Sequence, residues 1–306
     1  MDENSIREAV RRLYLTASST VTSDVRTSLR RAYEEEENEV AKTNLKVVLD
    51  NLDICEKKTI PVCSDTGYPV WYIRVGEGSL KWFCEWIPVL RKIITEETKA
   101  ITLEGKLRPT VIDPIDRANP GTNVGEGMPF QRWKFDDSGE VEITCAPKGG
   151  GTEIFGSSSK VLLYADGLGG VKNFVLESVT QADLHGKACP PNIVGVGIGG
   201  TFDLCAELAK EAAVLRPIGS RHPDPRIAKL EQELFEAINL TGIGPLGMLG
   251  RTTALDVHVE FAYSHLAGFP VAVAFQCPAA RVSTALIAEG GIQFKERPNW
   301  FRRMKD

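Results

Sequence analysis

A chain of 306 residues, 42% hydrophobic and 25% charged, has the make-up of a soluble globular protein and is long enough to bury a substantial core. Its formal net charge of −5, with both signs interspersed, excludes the basic footprint expected for binding nucleic acid or an anionic membrane. Apolar runs such as 193–198 and 270–275 fall far short of the roughly 20 residues a bilayer span requires, and the acidic opening MDENSIREAV is not signal-like, so a cytoplasmic protein is expected.

In chain order, residues 4–14 and 23–53 carry apolar positions at helical spacing, for example Val40, Leu45, Val48, Leu49 and Leu52, and predict a helical scaffold over residues 1–55. The β-rich run YPVWYIRV predicts a strand over 68–75, and 80–103 returns to a helical pattern ending near Gly105. The segment 108–130 is rich in Pro, Gly and Asn and predicts a long loop, of the kind that is often functional. Strands are predicted at 140–146, 192–198 and 270–276, and helices at 202–215, 224–240 and 281–289. With no repeat or linker, the expectation is one α/β domain over 1–306: a helical N-terminal region, then mixed, partly parallel sheets flanked by helices.

Gly195, Gly197 and Gly200 satisfy the dinucleotide fingerprint G-x-G-x-x-G between an apolar strand and a helix. A nicotinamide site also needs an acidic residue at the end of the next strand, about 20 residues on, and RPIGSRHPDP occupies that place. The glycines therefore read as permitting tight strand–helix packing, and a nicotinamide-dependent oxidoreductase stays an alternative class. The Gly149–Gly151 run is different, because it adjoins Lys148: exposed N–H groups there, with the lysine charge, suit a carboxylate.

Seven cysteines, an odd number without close spacing, fit reduced thiols better than a disulfide framework. Cys63 in VCSDTG, Cys189 in ACPPN and Cys277 in QCPAAR each sit at a turn beside Pro or Gly, next to a strand, where a thiolate could be presented to a metal. Cys205 lies in a helical pattern that suggests packing. Zinc has little support, since no C-x-x-C or H-E-x-x-H pair occurs among only four histidines.

At these cysteines the sequence resembles the iron–sulfur fumarases of class I and the related two-subunit tartrate dehydratases, in their α region. The resemblance runs from about residue 20 to 290 through ordered blocks: CSDTG (63–67), LRPTVIDP (107–114), NPGTNVGEGMP (119–129), PKGGGTE (147–153), ACPPNIVGVGIGGTFD (188–203), LRPIGSRHPDP (215–225) and NLTGIGPLGMLGRTTALDVHVE (239–260). It implies a hydro-lyase interconverting fumarate and malate, or dehydrating L-tartrate, at a 4Fe–4S cluster held by Cys63, Cys189 and Cys277, with one iron left open as a Lewis acid. A non-catalytic binding subunit that keeps the fold is the third class.

The resemblance further places Arg108 on a substrate carboxylate, for which its planar fork is suited. It makes Asp65 an active-site carboxylate and His265 an active-site imidazole. Lys148, Gly149 and Gly150 then form a second anion site. His258 reads as structural, and Arg221 and His222 as either an anion site or a rigid turn. The chain departs from the family at Ser64, where Gln is usual, and at Pro278, where His or Trp is usual. Losing the amide at Ser64 removes a substrate contact. The resemblance also implies a separate β subunit that carries the acid/base group, in an α2β2 heterotetramer.

Overall fold

The computed structural model describes residues 2–301. Contacts divide the chain into two compact units, one of residues 1–22, 52–149 and 281–306, the other of 23–51 and 150–280. The α/β class, with a helical opening and mixed sheets, is what the structure contains.

In the first unit, helix α1 (Glu3–Ser19) starts where the Asp2 side chain accepts from the Ser5 amide. It buries Ile6, Ala9, Val10, Leu13, Tyr14 and Ala17, a stripe at three- and four-residue spacing. Strand β1 (Val70–Gly76) follows, then the short helix α4 (Leu80–Phe83) and α5 (Trp86–Leu103). Strands β2 (Phe130–Asp136) and β3 (Val141–Cys145) join β8 (Ser283–Ala288) and β9 (Gly291–Lys295) in a five-stranded sheet of order β2-β1-β3-β8-β9. Only β1 and β2 run parallel. The core lies between this sheet and α1 and α5, where Ile6, Leu13, Ile93 and Ile94 meet Trp71, Ile73, Ile143 and Ile287.

The helix expected over 23–53 is two helices, α2 (Ser23–Glu35) and α3 (Glu39–Lys58). The break has a local cause. Buried Glu36 turns its carboxylate onto the amides of Glu37 and Asn38, both at 3.0 Å, and Asn38 then accepts from the amides of Val40 and Ala41 as a new helix start.

The second unit holds a four-stranded sheet of order β4-β7-β5-β6, formed by β4 (Ser158–Leu162), β5 (Asn192–Gly199), β6 (Ala254–Ala262) and β7 (Phe269–Gln276). Helices α6 (Gly167–Leu184), α7 (Phe202–Leu215) and α8 (Pro225–Asn239) cover it. Side chains alternate across a strand, so Val194, Val196, Val271, Val273 and Phe275 pack with α6 and α8. Ala272 and Ala274 face Cys205, Ala209 and Ala213 of α7 on the other side. Gly195 and Gly197 also face α7, and a Cβ on either would stand 2.0 Å from the Ala209 oxygen or 2.1 Å from the Cys205 oxygen. These fingerprint glycines let a helix backbone approach a strand, as the packing reading expects.

The helix expected at 281–289 is not there: the segment is strand β8, paired with β3 on one side and β9 on the other. Ala288 pairs with Gly291, so Glu289 and Gly290 form the hairpin turn. No helix among the described residues is long and apolar enough to cross a membrane.

Candidate functional site

The first unit draws Asp65, Arg108, Lys148 and Gly149 together around the loop that carries Cys63. The loop's own side chains shape it. Asp65 accepts the Gly67 amide at 2.9 Å on Oδ1, an Asx turn, and buried Thr66 accepts the Arg108 amide at 3.0 Å on its hydroxyl. The Arg108 guanidinium donates to the Ser64 carbonyl at 3.1 Å, and among the described residues it has no carboxylate partner. Tyr68 and Lys148 exchange backbone hydrogen bonds at 3.0 and 3.1 Å, which pins the loop's far end to the KGG segment. Lys148 itself is buried.

At Gly149 a side chain would be tightly crowded. A Cβ there would lie 3.0 Å from the Asp65 Oδ2 and 3.1 Å from an Nη of Arg281. Arg281 also donates to the Asp65 carbonyl at 2.8 Å. Two guanidinium groups thus hold consecutive carbonyls, those of Ser64 and Asp65. The long loop is present at 108–129 and hangs on buried Asn123, whose Oδ1 accepts the Thr110 and Val111 amides at 2.7 and 3.1 Å. Its Nδ2 donates to the Arg108 carbonyl at 2.8 Å and the Thr102 hydroxyl at 3.1 Å.

Sequence reasoning missed Arg281, Thr66 and Asn123. All three lie in blocks already singled out, CPAAR, CSDTG and NPGTN. The only signal each offered was a polar group in a segment too irregular to satisfy its own backbone.

In the second unit Cys189 precedes β5 and Cys277 follows β7. Because Ile193 pairs with Gln276 in antiparallel register, both cysteines leave the sheet at the same end. His265 lies in the β6–β7 connection, before the first residue of β7, so the eight-residue strand Phe269–Gln276 separates it from Cys277. At about 3.3 Å per residue that strand spans roughly 25 Å. The structure does not bring His265 to the cysteine end of its unit. Its imidazole is exposed, with Nδ1 accepting the Ala267 amide at 3.2 Å. Gly150 opens the same unit, ahead of a single turn of π-helix at Gly151–Phe155.

His258 is buried in β6 against the Asp256 carboxylate at 3.2 Å, in keeping with a structural role. Arg221 donates to Asp256 at 2.8 Å, and His222 is buried with its amide on Glu231, so this Pro-rich turn is rigidly tied.

No two of the seven cysteines are joined in a disulfide. Cys63, Cys84 and Cys189 are exposed and Cys277 is half-buried, whereas Cys55, Cys145 and Cys205 are buried. Burial pushes the thiols of Cys55 and Cys145 up, and that of Cys205 up to about 11, which disfavours the thiolate a metal needs. Cys205 instead donates to the Gly197 carbonyl. Cys63, Cys189 and Cys277 suit a thiolate-bound cluster in donor type and exposure, which exposed Cys84 shares. Among the described residues, no group of three or more His, Cys, Asp or Glu side chains is placed to hold a metal ion. Cys63 belongs to one unit, and Cys189 and Cys277 to the other.

The family model for fumarate hydratase (fumerase) matches residues 7–286. A putative L(+)-tartrate dehydratase subunit alpha from Methanocaldococcus jannaschii is 43% identical over 278 residues, 90% of this chain and 95% of that protein. An L(+)-tartrate dehydratase subunit alpha from Escherichia coli (strain K12) is 33% identical over 287 residues, 93% of this chain and 91% of that protein. Both alignments are nearly end to end, and the matched span contains every block and every candidate residue described above. The chain belongs to the fumarate hydratase (fumerase) family and is a hydro-lyase.

Proposed function

We propose that the chain is the α subunit of a 4Fe–4S-dependent hydro-lyase for a small hydroxydicarboxylate. Cys63, Cys189 and Cys277 would hold the cluster, and Asp65, Arg108, Lys148, Gly149 and Gly150 would meet the substrate. The observation that carries this reading is the loop 63–67: one turn presents an exposed thiol at Cys63, a carboxylate at Asp65 and, through the Ser64 carbonyl, the Arg108 guanidinium, which has no carboxylate partner among the described residues. When bound, the cluster would supply Lewis acidity at an iron that carries no thiolate. Arg108 would donate two parallel N–H bonds to a carboxylate, held for that task by Thr66 and Asn123. Gly149, bare on the side facing Asp65, lets the Asp65 carboxylate and the Arg281 guanidinium come close to the backbone there.

Fumarate and malate are the substrates that the resemblance puts first. The names of the two relatives set L(+)-tartrate beside them. Those names also support a β subunit as partner, in an α2β2 assembly that would supply the acid/base group, and seven cysteines without a disulfide suit a reducing cytoplasm. His265 is kept as a proton-handling group of the assembled enzyme. The test is to co-express the chain with a candidate β subunit without oxygen and assay fumarate, malate and both tartrates. A brown complex with turnover is expected; a brown complex inert to all of them would sink the reading.

A further inference from the structure

Arg281 has no role in the scheme above, yet it is only 3% exposed and among the described residues has no carboxylate partner. A buried cation without a counter-ion is costly, so its retention calls for compensating contacts. One of them is visible: an Nη donates to the Asp65 carbonyl at 2.8 Å, across 216 residues of sequence. The other Nη stands 3.1 Å from the place a Gly149 Cβ would take, on the same bare face that the Asp65 Oδ2 approaches to 3.0 Å. The Nε is buried and without a hydrogen-bond partner. Behind it lie Tyr14 and Cys145, both driven up by burial and both partly relieved by the Arg281 charge. The side chain thus runs from the core of its unit to the loop that carries Cys63.

We propose that Arg281 is a positioning residue for Asp65: a buried guanidinium that fixes the Asp65 peptide and, opposite the bare Cα of Gly149, sets where its carboxylate stands toward the substrate. Arg108 does the corresponding work on the preceding carbonyl from the solvent side. The loop is therefore clamped from both sides, and only the outer arginine is exposed to an arriving anion. A glycine at 149 suits the same geometry, since a methyl group would have to displace the Asp65 carboxylate or the Arg281 head by a few tenths of an ångström.

The inference rests on the hydro-lyase reading for its catalytic consequence, but not for its structural one, and the test separates them. In the full chain, Arg281→Met keeps an unbranched side chain and removes the donors. Hydrogen–deuterium exchange at residues 63–68 should then rise on the order of ten- to a hundredfold, while β1 and β3 stay within about twofold. In the complex with a β subunit, Arg281→Met should lower kcat more than it raises KM, and Arg281→Lys, which keeps one donor, should recover part of the loss. Unchanged exchange at 63–68, or an equal rise over the whole unit, would overturn the proposal whatever the activity. If the parent complex turns over no dicarboxylate, the hydro-lyase reading falls and the exchange result still decides the role of Arg281.

Discussion

The Asn192 side-chain amide donates to the Asp183 carboxyl at 2.6 Å, closing the base of the loop that carries Cys189. The remaining oxygens of the pair, Asp183 Oδ2 and Asn192 Oδ1, are both buried without a hydrogen-bond partner. A proton on Asp183 would let one donate to the other and complete an acid–amide pair. Burial pushes this carboxyl up to about 7, against a partial lowering by the Asn192 bond. Between about pH 4 and pH 7 the folded chain then holds a proton that the unfolded chain has lost, so stability falls as pH rises through that window and levels off above it.

The expected outcome for Asp183→Asn is a flatter dependence of Tm on pH between about 5 and 7.5, with stability at pH 8 raised by about 1–3 kcal/mol, because the new amide can donate where the ionised acid cannot. Thermal scans of both proteins across that range provide the measurement. Parallel slopes would show that Asp183 does not titrate there.

Replacement of Cys63, Cys189 or Cys277 with Ser should abolish cluster assembly, whereas Cys84→Ser and Cys205→Ser should leave iron nearly intact. Cys205 has a packing reason to be present, and serine can still donate to the Gly197 carbonyl. Iron and sulfide analysis after anaerobic reconstitution reads the contrast directly. Full iron in any of the first three variants would mean that ligand is misplaced.

Arg108→Lys keeps the charge and loses the fork, so kcat/KM should fall by an amount worth about 1.5–3 kcal/mol while iron content holds. His265→Asn should also spare the iron and lower kcat on the order of 10²-fold if the imidazole handles a proton. A change below about threefold would remove His265 from the catalytic set. Its distance from the cysteine end of its sheet makes this variant more informative than the sequence alone suggested.

Gly197→Ala sets the packing reading of the glycine fingerprint against cofactor binding. A methyl group 2.1 Å from the Cys205 carbonyl must separate α7 from β5, at about 1–3 kcal/mol or more. A lower Tm and no response of either protein to NAD are expected. A Tm increase on adding NAD to the parent protein would revive the nucleotide alternative.

Much of the architecture was legible because several elements have an unambiguous period. Helix α7 and strands β5 and β7 stand within a residue or so of where their patterns put them. Segment 281–289 misled because Val282, Ala285, Leu286 and Ala288 fall at helical spacing, while pairing with β3 and β9 decides the outcome. The Glu289–Gly290 turn was the overlooked hairpin signal. Strand β2 is largely half-exposed and shows little alternation, so the unpatterned sequence beside the long loop hid it. In the candidate site, the family resemblance singled out Cys63 and Arg108, whereas Arg281 acts over 216 positions of chain and no local pattern encodes such a contact.

The single amide of Asn123 has a further consequence for how this protein can vary. Its hydrogen bonds reach Thr102, Arg108, Thr110 and Val111, all on the near side of the long loop. Farther out, Asp113 donates its amide to the Ala118 carbonyl at 2.9 Å and the Asn119 side chain donates to the Pro109 carbonyl at 2.9 Å, so the tip at 114–117 is an appendage whose length is decoupled from the position of Arg108. Insertions there cost little, since loop entropy grows only slowly with length. One methylene added at the hook, as in Asn123→Gln, would shift the arginine that changes at the tip leave in place.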